Sequence, residues 1–151
     1  MTASRRLTEL GISLPRATPP IGSYVPARRA GHLLYISGHL AKRDGTVVTG
    51  RVGAEIDLES ARELARQIAL DLVGTAAEGA GGVDALAGVV KLLGLVRSAP
   101  GFDQQPAVIN GASDLLVEIF GEPGRHARSA IGVSELPLGA AIEIEAIFEL
   151  G

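Results

Sequence analysis

The stretch His126-Ala-Arg128-Ser-Ala130-Ile-Gly-Val-Ser-Glu-Leu-Pro137-Leu-Gly-Ala-Ala-Ile-Glu143-Ile-Glu145-Ala-Ile-Phe148 decides how this chain is read. Two short apolar runs flank a Leu-Pro-Leu-Gly turn, so the segment predicts two strands joined as a carboxyl-terminal hairpin. In the second run the period of two places Ile142, Ile144 and Ala146 on one face and Glu143 and Glu145 on the other. Arg128 sits on the first run, where a cross-strand ion pair with a glutamate would be worth under ~1 kcal/mol if exposed. A guanidinium that forks onto a carboxylate, together with a carboxylate that holds a water, is a minimal kit for hydrolysing a small acid. The polar face is either solvated or covered by another copy of the chain; alternation alone leaves both open.

Working outward, Tyr24 to Ala30 and Leu33 to Leu40 read as strands around a tight turn at Gly31-His32. The dense Leu-Leu-Tyr-Ile of the second suggests burial on both sides. Arg43-Asp44-Gly45 is a hairpin signal, with Thr46 to Thr49 returning. Asp57 is a good N-cap for a long helix with an apolar stripe at positions 61, 64, 65, 68, 69, 72, 73 and 76, ending at Gly79. Leu86 to Val96 is a strand candidate, its alternation counted through Val90, Leu92 and Leu95. A second helix starts near Pro106 and stops at Gly121 and Pro123. Strands and helices in this order predict an α+β layer, one mixed sheet with two helices on one face. The first residues read as a short surface helix leading into a Pro-rich connector, Pro15 to Pro20.

Composition narrows the function. The 151 residues fit a single domain, and only 3% of them are aromatic, so the core must be built from Ala, Leu, Ile and Val, and self-association is a natural source of further buried area. A net charge of −3, with Lys42 and Lys91 the only lysines, argues against nucleic acid or an anionic membrane as partner. There is no cysteine, hence no disulfide, thiol nucleophile or thiolate metal site, which fits a cytoplasmic protein. No run approaches the roughly 18 apolar residues of a membrane span. His32, His39 and His126 lack ligand spacing, so no metal is expected. The loop at Gly79-Ala-Gly-Gly82 follows a helix, the wrong context for a phosphate cradle. Ser37-Gly38-His39 puts Ser and His on one strand face but lacks a nucleophile elbow. It reads as a small-residue strand end able to floor a pocket. Lys91 reads as a snorkelling side chain.

Several spaced motifs, in order, resemble the Rid family (reactive intermediate deaminases, also called YjgF-like proteins). They are Gly22-Ser-Tyr24, Leu34-Tyr-Ile-Ser37-Gly38-His39, Phe102 with Asn110, Arg128-Ser with its following Val133 and Leu136-Pro137, and Glu143-Ile-Glu145-Ala-Ile147. The resemblance spans about Ile21 to Leu150, which divides the chain into an N-terminal extension, 1–20, and one Rid-like domain, 21–151. It implies a chorismate-mutase-like α+β fold, a homotrimer with sites between subunits, and cofactor-free hydrolysis of small enamines and imines, such as 2-aminoacrylate and 2-iminopropionate, to 2-oxo acids and ammonia.

Carried over by position, the resemblance makes Arg128 the carboxylate clamp and Glu143 the water-activating base. Tyr24, Ser37, Gly38, Asn110 and Ala130 would line the substrate site. Ala130 stands where many family members have Cys, and His39 where Gln is usual. The expected partners are therefore other copies of this chain and a small imine or 2-oxo acid. Two further readings stand beside it: a non-catalytic binder of small carboxylates or 2-oxo acids in the same cleft, and the endoribonuclease activity that the resemblance also implies for some members, which the acidic charge and scarce aromatics disfavour.

Overall fold

A computed structural model describes all of residues 1–151. Three helices, α1 (Ala3–Glu9), α2 (Leu58–Ala80) and α3 (Gln105–Phe120), accompany seven strands. These are β1 (Ala27–Ala30), β2 (Leu33–Leu40), β3 (Lys42–Arg43), β4 (Thr46–Val47), β5 (Leu86–Arg97), β6 (Ala127–Val133) and β7 (Ile142–Leu150). Five strands form one mixed sheet in the order β1-β2-β7-β5-β6, antiparallel throughout except for the parallel pair β5–β6. The expected α+β layer is present.

Local chemistry explains the elements. The Asp57 carboxylate accepts from the Ser60 amide at 2.7 Å, capping α2, and Gly81 ends it in the left-handed region. The apolar stripe read from the sequence of α2 is buried along its whole length. Pro106 opens α3, whose Val108, Ala112, Leu115, Leu116 and Ile119 are likewise buried. β3 and β4 turn at Asp44 and Gly45, both at positive φ (52° and 77°), the geometry that a two-residue hairpin with right-handed twist requires. On the inner face of the sheet Leu34, Ile36, Leu92, Val96, Ile142, Ile144, Ala146 and Phe148 meet the stripes of α2 and α3 in one core. The opposite face carries Tyr35, Ile147, Leu93, Leu95 and Ile131 beside Glu143 and Glu145, and no element of the chain covers it.

Four expectations need correcting. β6 and β7 are not a hairpin: β5 lies between them, so the Pro137–Gly139 turn carries the chain across β5 rather than back alongside β6. β2 is buried on one side only in the protomer, with Leu34 and Ile36 inward and Tyr35 44% exposed. The phase of β5 slips where its register with β7 shifts between Val89 and Lys91. Val89 is buried there and Val90 faces out, because a bulge moves later side chains to the other face. The N-terminal helix is more than a surface helix. It buries Ala3 and Leu7, Ser4 bonds the Asp84 carboxylate through amide and hydroxyl (2.8 and 2.6 Å), and Arg6 Nε donates to the Glu118 carbonyl at 2.8 Å.

Candidate functional site

Paired residues on neighbouring strands point to the same side of a sheet. Arg128 pairs with Leu92, whose side chain is in the core, so the arginine emerges on the helix side of the edge strand β6. Glu143 pairs with Leu95, three positions further along β5, and therefore points to the uncovered side. Within one protomer Arg128 and Glu143 thus stand on opposite faces. The cross-strand ion pair between Arg128 and a glutamate is absent, because β5 separates the two strands.

The residues gather instead into two groups. In the first, α3 lies over the inner face of β6. Arg128 Nη1 donates to Ser113 Oγ at 3.0 Å and Nη2 to the Pro106 carbonyl at 3.2 Å. Asn110 is half-buried between Pro106 and Ser113 on that helical row, and Ala130 follows Arg128 on the same face of β6. Arg128 makes no ion pair with any carboxylate, so its remaining N–H donors are available to an anion. Ser113 and His126, which bonds it at 2.9 Å, were not singled out as site residues from the sequence. Their signal was the spacing to Asn110 and Arg128, legible only once α3 was known to lie on β6.

In the second group Glu143 abuts a bulge in β2. The β2–β7 register shifts between Ile36 and His39, and Gly38 faces the Glu143 carboxyl. A β-carbon added at Gly38 would stand 3.0 Å from Glu143 Cδ, so the glycine makes the room the carboxyl occupies. Burial raises the Glu143 pKa from the ordinary glutamate value, and the neighbouring Glu145 charge adds to the rise. The bulge also places His39 opposite the buried Ile144, so Ser37 and His39 do not act as a pair. The Ser37 hydroxyl donates to the Val25 carbonyl at 2.7 Å. His39 Nδ1 donates to the Ser37 carbonyl (2.7 Å), and Nε2 accepts from the buried Thr75 hydroxyl (2.9 Å). Burial lowers the His39 pKa, keeping the imidazole neutral. Tyr24, Ser37 and Gly38 line a cavity of about 780 Å³ between the Pro-rich connector, the β3–β4 hairpin and α2. No three His, Cys, Asp or Glu side chains lie where they could hold a metal ion.

The profile of the endoribonuclease L-PSP family matches residues 15–150. The chain belongs to this family, the Rid/YjgF group that its motifs resemble. It is 44% identical to protein TCP17 of Trypanosoma cruzi over 146 residues, covering 95% of this chain and 91% of that one. It is 34% identical to a 2-iminobutanoate/2-iminopropanoate deaminase of Dermatophagoides farinae over 138 residues, 90% of this chain and 92% of that one. A crystal structure of an Agrobacterium tumefaciens protein of unknown function superposes with a TM-score of 0.89 at 42% identity, covering 99% of this chain and 92% of that one. No helix of the chain is long and apolar enough to cross a membrane.

Proposed function

We propose that this Rid-family protein hydrolyses small enamines and imines of the 2-aminoacrylate/2-iminopropionate type to 2-oxo acids and ammonia. The catalytic unit is an interface between copies of the chain, in a homotrimer. One observation carries the reading: a guanidinium with no carboxylate partner and a carboxyl of raised pKa lie on opposite faces of one sheet. A second copy packed on the uncovered face can present its Arg128 to the Glu143 of the first. That face is apolar enough to favour a cover, with Ile131 47% and Tyr35 44% exposed in the isolated protomer.

In this arrangement Arg128 holds the substrate carboxylate bidentately, with Asn110 and Ala130 beside it, while Tyr24, Ser37 and Gly38 shape the other wall. Glu143 accepts a proton from water as its oxygen attacks the imine carbon. It passes that proton to the nitrogen, giving a carbinolamine, then takes the hydroxyl proton and delivers it to the nitrogen as the C–N bond breaks, so ammonia leaves and the 2-oxo acid remains. A carboxyl whose pKa is raised above the ordinary glutamate value gives up a proton less readily and so suits both accepting and returning one. Such imines react with water unaided, so orientation plus one acid–base group is a sufficient catalyst without a cofactor. The D. farinae deaminase supports the substrate class.

The second reading, capture of a 2-oxo acid without chemistry, is favoured by Arg128 being oriented by its own protomer, independently of Glu143. One experiment separates the two. An amino-acid oxidase generates 2-iminopropionate in the presence of semicarbazide, and the rate of trapping is followed. Wild type should outcompete the trap, while Arg128→Ala and Glu143→Gln should not. Trapping unaffected by wild type, with 2-oxo acid still bound, would give the site to the binding reading.

A further inference from the structure

Arg128 does not stand alone. Its Nη1 donates to Ser113 Oγ (3.0 Å), Ser113 Oγ lies 2.9 Å from His126 Nε2, and His126 Nδ1 lies 2.7 Å from the Gly124 carbonyl. With the imidazole neutral, one proton arrangement satisfies this chain of neighbours. A carbonyl can only accept, so Nδ1 carries the imidazole proton. Burial lowers the His126 pKa, and the Arg128 charge lowers it further, so the ring is neutral and Nε2 is an acceptor. The Ser113 hydroxyl therefore donates its single proton to His126, which leaves its lone pairs toward Arg128. A freely rotating hydroxyl becomes a fixed acceptor.

We propose that Ser113 and His126 are positioning residues that lock the Arg128 guanidinium in the orientation required to fork onto the substrate carboxylate. The relay is built from three elements: Ser113 on α3, His126 just before β6, and the Gly124 carbonyl in the turn between them. The second anchor of the guanidinium, the Pro106 carbonyl, comes from the first turn of α3. With both terminal nitrogens tied on the helix side, rotation about the last bonds of the side chain is suppressed. The clamp then meets its ligand without an ordering cost.

The proposal rests on Arg128 being the carboxylate clamp, and its test separates the two claims. Nitrogen NMR of the Arg128 guanidinium reads the relay with no ligand present. Wild type should show distinct, slowly exchanging Nη signals that merge in Ser113→Ala and His126→Phe. Ser113→Thr, which keeps the hydroxyl, and His126→Gln, which keeps an acceptor at the Nε2 position, should retain them. In the imine assay Ser113→Ala should raise KM about tenfold with kcat within about twofold, the loss expected for one hydrogen bond to a charged group. Ser113→Thr should restore KM, and melting temperatures of all variants report any general loss of fold. Guanidinium signals unchanged in Ser113→Ala, or a fall in kcat with KM unmoved, would overturn the relay. If instead Arg128→Ala binds 2-oxobutanoate as tightly as wild type, the clamp reading falls while the NMR result still decides the relay.

Discussion

Gly38 and Glu143 are in contact across the β2–β7 ladder, the glycine's missing side chain leaving the space in which the carboxyl group lies. A methyl at position 38 meets the flexible end of Glu143 rather than backbone. Gly38→Ala is therefore expected to change stability by less than about 1 kcal/mol while displacing the carboxyl by a fraction of an ångström to an ångström. If Glu143 positions the water as proposed, a shift of that size should lower kcat by about 10- to 100-fold. Thermal melts and imine-trapping kinetics on the same preparation check both halves.

Glu145 is the charge that adds to burial in raising the Glu143 pKa. In the proposed mechanism Glu143 acts as a base only when ionised, so activity should rise with pH through an apparent pKa above the ordinary glutamate value. Glu145→Gln removes one of the two raising influences. The acid limb of the kcat profile should then move to lower pH, with the plateau little changed, as a pH–rate series on both proteins will read.

Two histidines make stability depend on pH. Burial holds both His39 and His126 below their ordinary value of 6.5. A base whose folded pKa lies below its unfolded pKa binds fewer protons in the native state, so stability rises with pH. The contribution is intact above about pH 6.5 and is lost progressively as the pH falls from there toward the lowered pKa values. Urea melts between pH 5 and 8 should show this slope, and replacing His39 and His126 together by Gln should flatten it.

Thr75 is the one buried polar side chain, and its hydroxyl donates to His39 Nε2. Thr75→Val keeps the shape but leaves that nitrogen unpaired, at a cost of about 1–3 kcal/mol. Chemical denaturation gives the value directly. Activity should fall less than in Gly38→Ala, because His39 reaches Glu143 only through the Ser37 carbonyl and the bulge.

Much of this architecture is legible in the sequence where the determinants are local. The stripe of α2, its Asp57 cap and the Asp44-Gly45 turn each follow from residues within a turn or two of one another. The pairing of strands is not local. Leu136-Pro137-Leu138-Gly139 has the wording of a hairpin turn, and nothing nearby reports that β5 inserts between β6 and β7. The bulges in β2 and β5 likewise reverse the side-chain phase without any composition signal, which misplaces Val90 and the Ser37–His39 pair. Seven residues of α1 give too short a pattern to show that Ala3 and Leu7 reach the core. Of the site, Arg128 and Glu143 stood out by residue type and motif, whereas Ser113 and His126 became visible only with α3 seated on β6.

The central claim, that the Arg128 of one chain serves the Glu143 of another, has a direct measurement. Arg128→Ala and Glu143→Gln chains, each inactive alone, are co-expressed and purified as mixed assemblies, and imine hydrolysis is measured. If the two groups come from different copies, random mixing places an intact pair at about a quarter of the interfaces, and activity should return to about that fraction of wild type. Mixed assemblies as inactive as their parents would contradict the account.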